Sequence, residues 1–390
     1  AQSSSTWPLA FPQTTFTNSC RFDDGSSDGL SRTQGSPTNS DICTFSVWFK
    51  LGADVTSNDI SIFQEYVDVN NYFGISKKDN GRLQVFQFDS GSFNINVQPS
   101  RLFRDHSAFY HVVVAYDSSQ STSSDRVKIY INGEQVTSFN SSTYPSQNLD
   151  NRFNTSGKTI KIGTQNSNQY WDGYLAETIF VDGQALTPTS FGATNPVTNI
   201  WEPIAYAGTY GNNGFKLNYS DSSALGDDTS GNGNDFTVAN LTSIDQSTDT
   251  PSNNFATLNP LNNTTDGNPA VYSEGALKFV TAGDASGKRY GGTGTIGVSK
   301  GKWYWEVKHG STDGGGTLSI GITHDMGLLS RSSPQYVGGD NASFGYYGGD
   351  GDIYHNNSDN TYGNTFGDGD IIGVALDVDN SKLYFSKNGT

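Results

Sequence analysis

Apolar residues along this chain recur at a period of two, in short runs separated by polar clusters. "CTFSVWFKL" sets Phe45, Val47 and Phe49 against Ser46, Trp48 and Lys50, the alternation of a strand with one face in a core. The pattern returns in "YFGISKKDNGRLQVFQFD", with a hairpin signal at "DNG", in "SAFYHVVVAYD", and in "DRVKIYINGEQVTSF", where Asn132 and Gly133 supply a tight turn. Further on, Tyr304, Glu306 and Lys308 alternate with Trp303, Trp305 and Val307. Clusters such as "NSSTYPSQN" and "TSGNGND" punctuate these runs at about ten-residue intervals, the spacing of many short strands. No run sustains a helical period, and none approaches the ~18 apolar residues that cross a bilayer. The pattern predicts an all-β protein of two antiparallel β-sandwiches, without membrane insertion.

A chain of 390 residues suits two domains, since domains usually run to about 100–200 residues. The strand runs fall into a first block over residues 1–203, recognisable from near Phe11, and a second over residues 270–390. Between them, residues 204–269 read as a connector with one strand, "NGFKLNYSD", followed by the Pro-punctuated "DTPSNNFATLNPLNN", expected to be extended. Aromatic residues make up 13% of a chain only 33% hydrophobic, so the cores must lean on Phe, Tyr and Trp. The net charge of −16, with 23 scattered basic residues, argues against a nucleic-acid partner, which needs clustered Lys and Arg. Cys20 and Cys43 are too few for a disulfide scaffold; a single bridge and two buried thiols both fit. The sequence begins at Ala1 without Met or an apolar leader segment, so no signal peptide is visible.

The titratable residues do not form a hydrolytic site. Six Glu occur and none begins an E-x-D-x-x-E run; glycoside hydrolysis needs two carboxyl groups facing one sugar. Glu177 and Asp182 come nearest, but their odd separation puts them on opposite faces of a strand. The five His form no H-E-x-x-H pair, His111 reads as a strand residue, and no G-x-S-x-G elbow is present. The chain is expected not to be an enzyme. Sugar-binding chemistry is better represented: aromatic faces stack on sugar C–H groups while Asp and Asn bond hydroxyls. The candidates are Tyr170, Trp171 and Asp172 in "NQYWDG", Asp68, Asn70 and Tyr72 in "YVDVNNY", and Tyr346 and Tyr347 beside Asp350 and Asp352. The spaced Asp and Asn of "DTSGNGND" are of the kind that binds Ca²⁺, but the run lacks a full EF-hand loop and reads as a turn-rich loop, with Ca²⁺ as the alternative.

"YHVVVAYD", "VKIYINGEQV", "IKIGTQN" and "YWDGYLAETIFVDGQALT", in this order and spacing, resemble the concanavalin A-like, laminin-G-type jelly roll. "GKWYWEV", "IGI", "GDIIGVALDVD" and "LYFSKNG" resemble the SPRY domain, a bent β-sandwich that uses loops at one edge to bind partners. The resemblance makes "GDGDIIG" a tight turn entering a strand, without a phosphate or metal role. It also implies a further strand after "FSKNG", so the SPRY-like domain reads as incomplete at Thr390, the natural chain as longer, and the open edge as prone to self-association. The two domains in this order resemble virion surface proteins of marine bacteriophages, of fibre, spike or decoration type. That resemblance implies a virion-surface, extracellular location, other virion proteins and bacterial surface polysaccharide as partners, and a homo-oligomer. The alternatives are a structural capsid or tail decoration with no host ligand, and a secreted bacterial adhesin.

Overall fold

The alternating runs form strands throughout the computed structural model, which describes residues 16–52, 59–165, 169–263, 270–280, 290–310, 318–325, 327–328 and 336–390. The expected start of the first block near Phe11 and the end of the connector at Pro269 lie outside these residues. Helix is confined, among the described residues, to 3-10 turns of three residues each, so the chain is nearly all β. It divides into two units, Ala1–Phe255 with Ser273–Ala276, and Ala256–Tyr272 with Leu277–Thr390.

The strands of the first unit are β1 (Ser19–Phe22), β2 (Gly29–Thr33), β3 (Ile42–Leu51), β4 (Ile60–Asp68), β5 (Asn71–Lys77), β6 (Leu83–Asp89), β7 (Ser92–Pro99), β8 (Tyr110–Asp117), β9 (Val127–Ile131), β10 (Glu134–Gln135), β11 (Phe139–Thr143), β12 (Thr159–Ile162) and β13 (Gly173–Asp182). After them come β14 (Gly192–Thr194), β15 (Trp201–Pro203), β16 (Phe215–Leu217), β17 (Thr237–Ala239) and β18 (Gln246–Ser247). One sheet runs β10-β9-β8-β3-β13-β1-β18, with β16 added on β13; the facing sheet runs β11-β7-β6-β5-β4-β12-β2-β17. The inward residues of both sheets, Phe45, Val47 and Phe49 of β3 among them, make one core. It is aromatic, as the composition requires: Phe45 stacks on Phe63 across the sandwich with ring centroids 4.6 Å apart.

The other face of β3 is buried as well. Phe191, Tyr206 and Tyr210 from the segment after β13 pack over Val113, Ile179 and Val181, and Trp201 packs with Trp48 and Tyr174. Ser46, Trp48 and Lys50 therefore lie under protein and not under water. Lys50 is tolerated there because its ammonium meets Asp249 at 2.8 Å, Asn254 at 2.9 Å and the Phe255 carbonyl at 2.6 Å.

The connector supplies more than the single strand its sequence predicts. Besides β16, it adds β17 to the edge of β2 and β18 to the edge of β1. Both are too short for an alternation to show, and both cover sheet edges that would otherwise stay open. Asp245 anchors the same stretch through Arg21 at 2.9 Å.

The second unit contains β19 (Leu258–Asn263), β20 (Val271–Ser273), β21 (Lys278–Val280), β22 (Gly292–Gly294), β23 (Lys302–Lys308), β24 (Ser319–Thr323), β25 (Ser343–Tyr347), β26 (Asp352–His355), β27 (Ser358–Thr361), β28 (Ile371–Asp377) and β29 (Lys382–Lys387). Two sheets, β23-β28-β29 and β24-β25-β26-β27, enclose a core of Ile320, Tyr346, Phe366, Ile372, Val374 and Phe385. Trp305 and Val307 pack against that core, while Tyr304 on the alternate face is 61% exposed.

Candidate functional site

The outer face of the second sheet in the first unit holds a candidate site. Phe73, Ile75, Val85, Ile95 and Val97 point into the core, so Tyr72, Gly74, Ser76, Gln84, Phe86 and Phe88 fall on the opposite face. Tyr72 sits at the centre of an aromatic cluster, with centroid distances of 6.0 Å to Tyr66, 5.6 Å to Phe86 and 5.1 Å to Phe88. Phe88 meets Phe93 edge-on at 4.8 Å, and Phe93 is 41% exposed. Gly74 lies beneath: a Cβ there would come within 2.7 Å of Phe86 Cζ and 3.3 Å of the Gln64 amide carbon. The missing side chain lets Phe86 lie down on the sheet.

Tyr66, Tyr72, Phe86 and Phe93 line a hollow of about 240 Å³, bordered by Gln84, Gln165, Gln169 and the Asp59–Lys78 ion pair. The amides continue across the face: Gln84 donates to Asn96 at 2.8 Å, and Asn140 donates to Gln98 at 2.6 Å. Gln64 Nε2 and Ser76 Oγ, on the same face, are buried without a hydrogen-bond partner. Aromatic faces beside side-chain amides suit a ligand that is apolar on its flat sides and hydroxylated at its rim.

Of the residues singled out in the sequence, Tyr72 belongs to this hollow. Asp68 and Asn70 stand at the adjoining β4–β5 turn, where Asp68 accepts the Asn70 N–H at 2.8 Å and the Asn71 side-chain amide at 3.0 Å. Those bonds hold its carboxyl below the usual range. Tyr66, Phe86, Phe88 and Phe93 went unnoticed, although "LQVFQFD" places apolar residues on both faces of one strand, which is the signal of an occupied outer face.

Trp171 corrects the sequence expectation. Its backbone N–H bonds the Gly163 carbonyl at 2.7 Å, which tucks the side chain into the core edge-on to Phe49. With no exposed face, it offers a sugar no stacking surface. Tyr170 is half-buried and bridged to Thr164, and Asp172 is buried. Asp172 instead joins Asp23 and Asp24, whose carboxylate oxygens all lie within 4.8 Å of one another, an arrangement that could contribute to a divalent-cation site. The "DTSGNGND" loop spends its oxygens internally: Asp228 accepts backbone N–H groups of Lys216, Ser230 and Asn234, each at 2.8–2.9 Å.

In the second unit Tyr346 is a core residue, only 2% exposed, and is no ligand platform. Tyr347 points the other way and meets Tyr354 edge-on at 5.7 Å; Tyr336 meets Tyr354 from another side, also at 5.7 Å. Tyr354 donates its hydroxyl proton to Asp350 at 2.7 Å. Desolvation, with Asp350 and Asp359 nearby, raises the pKa of Asp352. Tyr354 and Tyr336 extend the site expected from Tyr347, Asp350 and Asp352.

The carboxylates nearest to a catalytic pair are committed elsewhere. Glu177, at a bulge in β13 with φ of 46°, is buried and paired with Lys216 at 3.0 Å. Asp182 accepts the backbone N–H groups of Thr38 at 2.7 Å and Asn213 at 3.0 Å. Cys20 and Cys43 are free and buried, and burial raises both thiol pKa values.

Comparison with known proteins gives two matches along the chain. Residues 24–190 match the concanavalin A-like lectin/glucanases superfamily, and residues 302–390 match the SPRY domain. The chain is 38% identical over 105 residues to the ATP-dependent RNA helicase DDX1 of Xenopus laevis, covering 26% of this chain and 12% of the helicase. It is 34% identical over 124 residues to Ran-binding protein 9 of Xenopus tropicalis, covering 32% of this chain and 21% of that protein. Among solved structures, the heptameric SAP-like pentraxin of Limulus polyphemus superposes with a TM-score of 0.34 at 17% identity, over 45% of this chain and 80% of the pentraxin. The chain thus carries a laminin-G-like, concanavalin A-like domain followed by a SPRY domain.

Proposed function

We propose that the protein is a binding protein without catalytic activity, whose first unit holds a carbohydrate on the outer face of the β4–β7 sheet. The observation that carries this reading is the hollow lined by Tyr66, Tyr72, Phe86 and Phe93 with Gln84, Gln165 and Gln169 at its rim. The commitment of Glu177 to Lys216 and of Asp182 to backbone N–H groups supports binding without hydrolysis. The second unit takes a protein partner, a role supported by its SPRY match and by resemblance to a relative named Ran-binding protein 9.

The location we propose is the surface of a virion, in several copies. This rests on the order of jelly roll, connector and SPRY domain, and on the advantage of display in copies, since linked weak sites gain about 10²–10⁴ in avidity. Mass spectrometry of purified particles tests it; a protein found only in secreted or cellular fractions would refute it.

The binding reading is tested on a glycan array followed by calorimetry. Phe93→Ala and Tyr72→Ala are expected to weaken the best glycan about tenfold each, a loss of ~1.4 kcal/mol apiece. Glycan binding that survives both substitutions would place the site elsewhere, and turnover of the bound glycan would overturn the non-catalytic reading.

A further inference from the structure

We propose that the tyrosine face of the second unit, beside the edge strand β27, docks an extended basic peptide segment of the partner protein. This rests on the protein-binding role given to the second unit and specifies the partner's chemistry. Tyr354 is the centre of the face, with Tyr347 and Tyr336 set edge-on to it at 84° and 82°. The face of a tyrosine ring attracts a cation within about 6 Å of its centroid. Asp359 is the register partner of Tyr354 across β26 and β27, and Asp352 lies two residues before Tyr354 on the same face. Asp350 accepts the Tyr354 hydroxyl.

The lysine ion pairs of this unit, among the described residues, take Asp377 and Asp370, and none reaches Asp350, Asp352 or Asp359. In the first unit the buried carboxylates Glu65, Glu177 and Asp249 each face Arg or Lys, while Asp182 is held by backbone N–H groups. The three unpaired carboxylates also differ from Asp23, Asp24 and Asp172, because their oxygens do not gather within the same 4.8 Å. They are spread along a face, as the charges of a peptide are, and do not converge on a point as metal ligands must.

The strand order identifies how a peptide would lie. β27 ends its sheet, and all four of its residues are exposed. A partner strand added to that edge would use the free backbone groups of β27 for its own ladder. Its alternate side chains, about 7 Å apart, would then fall beside Asp359 and over the tyrosine rings. Basic residues at every second position satisfy both the ladder and the charges.

The test uses the full chain and three fluorescein-labelled peptides at about 0.15 M salt, chosen so that nonspecific attraction is screened beyond ~8 Å. One peptide alternates Arg with Ser, one Glu with Ser and one Gln with Ser. The Arg peptide is expected to bind, and Asp359→Asn and Tyr354→Leu are each expected to weaken it about tenfold with an unchanged far-UV spectrum. Asp227→Asn, in the first unit, is expected to leave it unaffected. Equal loss with Asp227→Asn, or indifference to Tyr354→Leu, would reduce the effect to the net charge and overturn the proposal. If the Glu or Gln peptide binds and responds to Tyr354→Leu, the basic chemistry is wrong while the protein-binding role stands. If none of the peptides binds, and a partner captured by the chain also ignores these substitutions, both fail. Displacement of the Arg peptide by millimolar Ca²⁺, with Ca²⁺ binding lost in Asp359→Asn, would make the face a metal site and likewise overturn it.

Discussion

At the residue scale, His111 shows how burial fixes a protonation state. Its ring stacks on Trp48 at 4.5 Å, and its Nδ1 takes the indole N–H of Trp201 at 3.0 Å. An indole N–H can only donate, so Nδ1 accepts and Nε2 carries the proton that it gives to Ser46 Oγ at 2.9 Å. Burial pushes the His111 pKa down to about 3. The unfolded chain, with an ordinary histidine near 6.5, then binds a proton that the folded chain refuses. The stabilising contribution is therefore whole above pH ~6.5 and is lost as the pH falls from there towards 3. Urea midpoints of the native protein should drop between pH 6.5 and 4.5, and His111→Gln, though less stable at neutral pH, should show a shallower drop. Parallel pH profiles would disprove the assignment. The same scale explains Trp171 and Tyr346, read in the sequence as ligand-facing and found in cores. Both adjoin turn-like residues, and no local pattern tells whether an aromatic beside a turn folds inward; here the Gly163 contact and the Phe366 and Phe385 rings decide it.

At the element scale, a single buried lysine ties β3 to the end of the connector. Lys50 is fully buried, and the 2.8 Å contact with Asp249 compensates a charge that could not otherwise remain under protein. Lys50→Met should leave Asp249 buried and unpaired, at a cost of about 3–5 kcal/mol. Lys50→Met with Asp249→Leu should recover much of that loss, because two apolar groups can fill the site without desolvating a charge. Denaturation of the two single variants and the double variant measures the coupling; additive losses would show that the pair acts through packing alone. The sequence made β3, β8 and β9 legible because a half-buried strand writes its alternation over many residues. It made Lys50 look like a solvent-facing residue, because the groups that meet its ammonium, Asp249, Asn254 and the Phe255 carbonyl, lie 199 residues and more away in the chain. The outer-face hollow was half legible for a similar reason. Tyr72 stands out in its turn, but the cluster needs β4, β5, β6 and β7 side by side, and register is not written in any one of them.

At the scale of the whole molecule, the strand pairings set where the first unit can be cut. A boundary at Pro203 follows the sequence pattern of the jelly roll, yet Phe215, Leu217, Tyr219, Leu225, Phe236 and Leu241, all beyond it, lie in the main core. Burying side chains of this size stabilises by about 1.5–3 kcal/mol each, before the entropy of ordering them is set against it. Their loss together, about 9–18 kcal/mol before that offset, is comparable to the ~5–15 kcal/mol by which a domain is stable. The same cut removes β16, β17 and β18, exposing the edges of β1 and β2, and takes from Lys50 its partners Asp249, Asn254 and the Phe255 carbonyl. A chain ending at Phe255 keeps all of these and gives up, from the 273–276 segment, the Arg21–Glu274 ion pair and the 3.2 Å bond from Tyr174 to Gly275. Residues 16–255 should therefore unfold in one cooperative transition, whereas residues 16–203 should give no cooperative transition and should bind a hydrophobic dye. Thermal denaturation of the two truncated chains checks this directly. A sharp transition for residues 16–203 would mean that the jelly roll closes its own core, and that the connector only lies on its surface.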